Sequence, residues 1–427
     1  MSAERGTRLR RSLRASIIDG AACAAMVGFG ELYFPAFGLF VGASPFQIGL
    51  LTSVPILAGA VAQMLAPRIA QRTGDRPFVI VGALGQALLF APLAGLALAG
   101  GDRYPALLAA AALYSVCALG INTMWNAWIG RMVPVAVRSR FFGRRGAAIS
   151  ALLLSSTLCG GLLLDAAARS AWGAASGFVA IFALAGASRL VSARYLAQQH
   201  DPRHGPPPPR PPLGSAVRAL RRGPSGRLIA LLVLVMGAVH LSAPYFLPYM
   251  LRELGLSYGQ WTILNVASLG TRIVSSPYWG AMARRCGNRR ILQVSGTLLV
   301  PLAGLWVVSD RFAYLIGLQM LAGFAWSGFE LAMVLNLLDV TGDRDRARVL
   351  SLYTLLNGLA IVVASLCGGV LLRHLGTVGY PTLFLLSSAS RATIMLALGR
   401  GVGVRRAGEP SYATSLLRVL SFGLAPR

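Results

Sequence analysis

The sequence contains no lysine and only 14 acidic residues, so its formal net charge of +26 comes from 40 arginines. Such a charge would suit a nucleic-acid partner if the arginines were clustered on a soluble domain. They are instead scattered over short gaps between apolar runs, where anionic lipid is the expected partner and nucleic acid is not. The absence of lysine, with heavy Ala, Gly and Leu usage, indicates a GC-rich bacterial genome and hence the bacterial inner membrane.

Cysteine and catalytic motifs are also scarce. The five cysteines form no CxxC pair, and four of them lie in apolar runs, where a thiol acts as a small hydrophobe. The sequence has neither a GxxxxGK[ST] phosphate loop nor an HExxH zinc motif. These absences argue against a disulfide framework, a metal centre and an ATP-driven pump. We expect no cofactor and no enzymatic activity, because no residue spacing specifies a nucleophile with a base.

Apolar sequence is what the chain has in abundance. About twelve stretches of about 20 residues each have the length that crosses a hydrocarbon core as a helix. They lie at residues 16–42, 46–66, 77–99, 104–128, 146–166, 173–195, 227–250, 259–281, 291–308, 313–338, 349–372 and 380–399. The sequence therefore predicts an all-α membrane protein with twelve transmembrane helices.

The distribution of arginine predicts the orientation of these helices. About 32 of the 40 arginines fall on the side of the membrane that holds both termini, and five fall in the opposite gaps. Short loops rich in Arg stay cytoplasmic. We therefore expect both termini to lie in the cytoplasm.

A proline-rich segment divides the chain. Residues 200–212 read HDPRHGPPPPRPP, which cannot continue a helix. The predicted organisation is an N-terminal six-helix bundle at 1–199, a cytoplasmic Pro/Arg-rich linker at 200–226, a C-terminal six-helix bundle at 227–400 and a cytoplasmic tail at 401–427. A shift of 213 residues aligns the halves over two spans and a loop, pairing Gly42 with Gly255, Ser44 with Ser257, Gln47 with Gln260 and Gly74 with Gly287. The halves therefore look like parallel repeats, two pseudo-symmetric six-helix bundles.

The loop that follows the second span is repeated in the second half. Residues 67–76 read PRIAQRTGDR and residues 280–290 read GAMARRCGNRR. With two six-helix halves and a long linker, these loops resemble the major facilitator superfamily of secondary transporters, whose loop pattern is G-x-L-a-D-r-x-G-r-r. Both copies lack the acidic residue, which Gln71 and Arg284 replace, so the family's usual latch is in doubt. The resemblance assigns a conformational-switch role to Arg72, Gly74, Arg76, Gly280, Arg285, Gly287, Arg289 and Arg290.

In transporters built from such repeats, solute binds near the bilayer midplane and access alternates as the halves rock. Ionisable residues inside spans are the sharpest candidates, since each costs about 2.5–3.5 kcal/mol to insert. Glu31, Arg272 and Glu330 qualify best. Glu31 lies four residues before Pro35 and is the candidate for a proton or cation site. The alternative is a structural carboxyl that forms hydrogen bonds beside the proline.

Two polar stripes at helical spacing carry the other two ionisable residues. The eighth span holds Asn265, Ser268, Arg272 and Ser275, and the tenth holds Gln319, Gly323, Trp326 and Glu330. Arg272 and Glu330 could pair at similar depth, either as a switch between states or as a permanent structural pair. Unpaired, Arg272 would instead hold an anionic substrate through its forked donors.

The remaining site candidates are polar or aromatic residues inside spans, namely Asn122, Trp125, His240 and Asn357. We interpret Asp19 as an ordinary carboxylate near a helix start, favoured there by the helix dipole. Arg189 and Arg391 are expected to be structural, with side chains that reach the lipid headgroups.

The sequence as a whole predicts a secondary active transporter of a small organic solute that works by alternating access, is coupled to protons through Glu31 and acts as a monomer. Two alternatives remain open: an uncoupled facilitator, and a non-transporting membrane receptor or assembly partner derived from a transporter. The sequence does not choose among amino acids, sugars, zwitterions and amphipathic drugs as substrates.

Overall fold

A computed structural model of the chain describes residues 2–99, 101–200, 224–340, 346–399 and 410–421. All regular elements in that part of the chain are helices. The chain divides into two compact units, Met1–Pro208 with Met250–Thr262, and Pro209–Tyr249 with Ile263–Arg427. These units differ from the predicted bundles, because Met250–Thr262 groups with the first unit. Residues 201–223 of the predicted linker and most of the predicted tail lie outside the described residues, so the predicted domain boundaries stay a prediction.

Eleven helices in the described part are long and apolar enough to cross a membrane. They are Thr7–Phe40, Pro45–Thr73, Asp75–Leu98, Tyr104–Met132, Arg140–Arg169, Gly173–Ala197, Gly226–Glu253, Asn288–Val307, Phe312–Val340, Leu352–Leu375 and Gly379–Leu398. The eighth predicted span also forms a helix, Tyr258–Cys286. This helix is not among the eleven, and it carries the predicted polar stripe with Arg272. The count of twelve transmembrane helices therefore stays a prediction.

The first unit holds seven helices. They are α1 (Ser2–Phe29), α2 (Phe34–Phe40), α3 (Pro45–Thr73), α4 (Asp75–Leu98), α5 (Tyr104–Met132), α6 (Val135–Arg169) and α7 (Gly173–Ala197). Helix α1 packs on α6 and α7, α4 packs on α5 and α7, and α3 packs on α5. Phenylalanine rings from α2, α4 and α7 form part of the core, with Phe37 and Phe182 edge to face at 5.1 Å between centroids.

The first predicted span is interrupted at its candidate carboxyl. Helix α1 ends at Phe29, one 3₁₀ turn covers Glu31–Tyr33, and α2 begins at Phe34. Pro35 lies in the first turn of α2, where its missing N–H would have had no helical partner. The break therefore places Glu31 at the point where the helix stops and restarts.

The second unit is built from α8 (Pro224–His240), α9 (Tyr258–Cys286), α10 (Asn288–Leu299), α11 (Phe312–Val340), α12 (Arg346–Leu375), α13 (Gly379–Leu398) and α14 (Tyr412–Leu420). The first residues of α9, up to Thr262, group with the first unit. Helix α8 packs on α12 and α13, α10 packs on α11, and the short α14 packs on α10.

Local geometry at helix starts follows the predicted repeat. Ser44 and Gln47 form a capping box at α3, in which the Ser44 N–H donates to Gln47 Oε1 over 2.8 Å and the Gln47 N–H donates to Ser44 Oγ over 3.3 Å. Ser257 and Gln260 make the same two bonds at the start of α9, over 2.9 and 3.2 Å. The same residues in both halves therefore satisfy the same helix-end donors.

The loop glycines repeat as well. Gly74 separates α3 from α4 with φ +87°, and Gly287 separates α9 from α10 with φ +86°. Side chains with a Cβ rarely adopt this backbone region, so glycine permits the sharp turn in each loop. The turn that the sequence resemblance implied is present in both loops.

Candidate functional site

A cavity of about 420 Å³ lies inside the first unit. It is bordered by α1, α4, α5, α6, α7 and the turn after α1, and three of the predicted site residues line it: Glu31, Asn122 and Trp125. Its other polar or ionisable lining residues are Asp19, Cys23, Gln86, Tyr114, Arg145 and Arg189. Volumes of about 300–1,000 Å³ are typical of small-molecule sites.

Glu31 faces the cavity with one strong hydrogen bond. The Tyr114 hydroxyl donates to Glu31 Oε2 over 2.8 Å. Tyr114 itself is buried, whereas Glu31 is exposed at the cavity surface. Within the described part of the chain, no arginine lies within ion-pair distance of Glu31. The carboxyl therefore has a neutral partner and access to the cavity.

A second group of charges lines the cavity. The Asp19 carboxylate on α1 interacts with the guanidinium groups of Arg145 on α6 and, through Ser192, of Arg189 on α7. Arg145 Nη2 lies 3.7 Å from Asp19 Oδ2. Ser192 Oγ donates to Asp19 Oδ1 over 2.7 Å, and Arg189 Nη1 donates to Ser192 Oγ over 2.7 Å. Asp19 and Arg189 are each only 3% exposed. Charges this deeply buried are retained only when they are paired and hydrogen-bonded.

The structure corrects three expectations from the sequence. Asp19 does not lie at a helix start, because α1 runs over Ser2–Phe29 and buries it mid-helix. Arg189 does not reach the headgroups, since it is buried beside Ser192. Arg391 is likewise buried, with Nη1 donating to the Leu299 carbonyl over 3.0 Å. The guanidinium groups of Arg189 and Arg391 donate to acceptors inside the protein and therefore do not extend to the membrane surface.

Arg145 was missed as a site residue because the fifth span was predicted to start at residue 146. The helix starts at Val135 instead, so Arg145 lies inside α6. Its guanidinium carbon stands 4.1 Å from the ring centroid of Trp125, within cation–π range. Asn122, one turn earlier on α5, accepts through Oδ1 from Asn126 Nδ2 over 2.9 Å.

In the second unit, the predicted pairing of two ionisable residues is present. Arg272 on α9 donates through Nη2 to Glu330 Oε2 on α11. The two side chains remain 43% and 36% exposed, so water still screens the pair. In this structure Arg272 is paired, and whether it binds an anion in another state stays a prediction.

Helices α9 and α11 approach closely next to this pair. A Cβ atom on Gly323 would stand 2.1 Å from the Ser268 carbonyl oxygen, so only glycine fits there. One turn further on, Ser327 Oγ donates to the Arg272 carbonyl over 3.0 Å. Small residues on α11 therefore bring the two predicted polar stripes face to face.

The remaining candidates do not join either cluster through a described contact. His240 Nδ1 is 2.9 Å from the Met236 carbonyl of its own helix. Trp326 packs edge to face against Phe329 at 5.9 Å. Asn265 and Gln319 are half-buried, and the side-chain oxygen of Asn357 is buried without a hydrogen-bond partner in the described part of the chain.

An ion pair holds the first conformational-switch loop against the end of α5. Asp75, the residue after Gly74, accepts from Arg131 at the end of α5. Arg76 donates to the Ala197 carbonyl at the end of α7, and Arg72 is exposed. The acid that the family pattern places three residues before the glycine is missing, but a carboxylate one residue after it binds the neighbouring helix.

The second loop is anchored by hydrogen bonds to a carboxylate and to a backbone carbonyl. Asn288 Nδ2 donates to Asp339 Oδ2 over 2.7 Å, and Arg290 Nε donates to the Pro410 carbonyl over 2.9 Å. Arg289 and Gly280 are half-buried, and Arg285 is exposed. This loop therefore contacts both the end of α11 and the chain that leads into α14.

Long apolar helices, charges buried between them and a cavity open to a membrane-embedded carboxyl define a multi-pass membrane protein of the transporter class. The family described as "Major Facilitator Superfamily" matches the sequence over residues 20–270 and 228–411. The chain belongs to the Major Facilitator Superfamily. No curated protein matches the sequence.

Solved structures of transporters share the fold. A mutant of the nucleoside transporter NupG superposes with a TM-score of 0.72 at 11% identity, covering 92% of this chain and 99% of that one. The D-xylose–proton symporter gives 0.65 at 16% identity, with 93% and 99% coverage. A bacterial homologue of the human lysosomal transporter Spinster, inward-facing and unoccupied, gives 0.60 at 16%, with 99% of both chains covered. At sequence identities of 11% and 16%, these superpositions show a shared fold and do not by themselves show a shared substrate.

Proposed function

We propose that the protein is a secondary transporter that moves a small organic solute across the bacterial inner membrane by alternating access, with proton movement coupled through Glu31 and both termini in the cytoplasm. One observation carries the coupling: Glu31 lines the cavity and accepts a hydrogen bond from the neutral Tyr114 over 2.8 Å. A carboxyl in this setting changes the charge of the cavity by one unit when it takes up a proton. The affinity of the cavity for its solute would therefore depend on whether Glu31 is protonated.

The fold supports this proposal in general terms. The D-xylose–proton symporter and NupG are transporters of the same fold, and the first is named for proton coupling. Arginine-rich gaps between spans support contact with anionic lipid and cytoplasmic termini.

The test uses purified full-length protein in proteoliposomes. A pH gradient is imposed, pooled metabolites and drugs are added outside, and internal pH is followed with a trapped dye. Glu31→Gln should abolish solute-dependent proton movement, because glutamine keeps the side-chain shape but cannot carry a proton. Glu253→Gln is the matched control, since Glu253 is exposed at the end of a turn and does not line the cavity. It should behave as the unmodified protein.

The possible results separate the alternatives. Proton movement that survives in Glu31→Gln contradicts coupling through this residue. If neither protein moves protons, uptake of labelled solutes without a gradient distinguishes an uncoupled facilitator from a receptor that binds without transport.

A further inference from the structure

The charges around the cavity in the first unit are unevenly distributed. At one end, Asp19 faces two guanidinium groups, those of Arg145 at 3.7 Å and of Arg189 through Ser192. The other carboxyl, Glu31, lies 12 residues further along the chain, beyond the end of α1 at Phe29. It is bound to Tyr114 rather than to an arginine. The arginine end therefore holds about one positive charge that no carboxylate neutralises.

Hydrogen-bonding groups around the cavity are also left unused. Arg189 Nε and Trp125 Nε1 are buried donors without a partner in the described part of the chain, and Gln86 Oε1 is a buried acceptor without one. All three residues line the cavity. A buried donor without a partner is destabilising, so a ligand that accepts from it gains affinity.

The rest of the cavity wall is mainly apolar. It includes Ala24, Val27, Leu119, Ile149 and Leu153 together with the face of Trp125. The Trp125 ring already stacks under the Arg145 guanidinium. A ligand that fills this space needs an apolar body next to its charged group.

We propose that this cavity binds an amphipathic organic anion, whose carboxylate or phosphate lies against Arg145 and Arg189 and whose apolar body packs on Trp125 and the aliphatic wall. The inference rests on the proposed function, because it treats the cavity as the solute site. It assigns the class of solute that the sequence left open. With Glu31 protonated, the remaining three charged side chains of the cavity, Asp19, Arg145 and Arg189, leave one net positive charge, which a monoanion neutralises.

The first test compares three probes that share a ring and differ in charge: 2-naphthoate, neutral 2-naphthamide and cationic 2-(aminomethyl)naphthalene. Binding to the purified full-length protein in detergent is measured by equilibrium dialysis. We expect naphthoate to bind about tenfold or more tightly than the amide, since hydrogen bonds to charged groups are the strong ones. The amine should bind most weakly. A preference for the amide or the amine, or no naphthoate binding at millimolar concentration, overturns the proposal.

The second test locates the binding. Arg145→Gln should weaken naphthoate binding about tenfold and leave the amide unchanged, by loss of the charged donor. Arg169→Gln is the matched control, because that side chain is 75% exposed and outside the cavity. Equal naphthoate affinity in Arg145→Gln and the unmodified protein overturns the proposal.

A measurement that needs no arginine variant covers the case in which Arg145→Gln fails to fold. Cys23 lines the cavity, and a chain in which the other four cysteines are replaced by serine reports on it alone. Naphthoate, but not the amide, should slow labelling of Cys23 by a maleimide. No protection overturns the proposal. Protection by phosphatidylglycerol but not by naphthoate also overturns it, because the anion would then be a lipid headgroup.

The two proposals can fail separately. Naphthoate binding without solute-dependent proton movement in proteoliposomes would contradict proton coupling and leave the anion site in place. Proton-coupled uptake of a neutral or cationic solute, with no preference for naphthoate, would uphold the transporter and contradict the anion site.

Discussion

Asn288 and Asp339 form an amide–carboxylate hydrogen bond at the position where the other half of the chain has an ion pair. Asn288 Nδ2 donates to Asp339 Oδ2 over 2.7 Å, and in the first unit Arg131 donates to Asp75. Asp75 and Asn288 are 213 residues apart, and Arg131 and Asp339 are 208 apart. The first of these separations is the shift of 213 residues that aligns the two halves in the sequence. The repeat therefore keeps a polar contact at the same place while moving the carboxylate to the other helix.

We expect Asn288→Asp to destabilise the second unit by about 1–3 kcal/mol, because it replaces a buried donor with a carboxylate beside Asp339. Thermal unfolding of the purified protein in detergent measures the loss. The double variant Asn288→Asp with Asp339→Asn restores one donor and one acceptor, and should recover most of the stability. A double variant no more stable than the single one would mean that the 2.7 Å contact contributes little.

Gly323→Ala should also destabilise the second unit. The added Cβ would stand 2.1 Å from the Ser268 carbonyl oxygen, which is backbone and cannot turn aside. Overpacking of this kind costs about 1–3 kcal/mol. Gly317→Ala is the control on the same helix, because a Cβ there meets nothing within 4 Å. The prediction fails if both variants unfold at the same temperature as the unmodified protein.

The pair Arg272 and Glu330 can be tested by a charge exchange. Arg272→Gln and Glu330→Gln should each lower solute uptake, since each leaves a charge between α9 and α11 without its partner. The side chains are 43% and 36% exposed, so the coupling in stability should be small, about 1 kcal/mol. The double variant Arg272→Glu with Glu330→Arg should recover uptake in proteoliposomes if attraction alone is required. Uptake as low as in the single variants would show that the arginine is needed on α9.

Much of the fold could be predicted because hydropathy and length together indicate membrane helices. The glycine turns at Gly74 and Gly287 follow from the loop resemblance, and similar depth in the two spans made the pairing of Arg272 with Glu330 one of the open alternatives. The cavity could not be predicted in the same way. Lipid is as apolar as the protein interior, so a membrane helix shows little periodicity to reveal which face points inward.

Two residues of the cavity were missed, each for its own reason. Tyr114 lies in an apolar run, where a single tyrosine gives no signal that its hydroxyl binds Glu31. Arg145 lies at a predicted helix boundary, and arginine there is expected to face the cytoplasm. Only contacts between helices distant in sequence, such as Arg145 with Asp19, show that these groups belong to a site.

The short helix α14 allows the last prediction, because it packs against α9 and α10. Tyr278 Oη donates to the Val419 carbonyl over 2.9 Å, and Tyr412 Oη donates to Thr297 Oγ1 over 3.0 Å. Val419 is 1% exposed and Leu417 is 64% exposed. Val419→Asp should release the helix, since a carboxylate cannot stay unpaired in that site, whereas Leu417→Asp should leave it docked. Amide hydrogen exchange of residues 412–420 measures the difference and should be faster in Val419→Asp than in Leu417→Asp. Equal exchange in the two variants would mean that Val419 does not hold α14 in place.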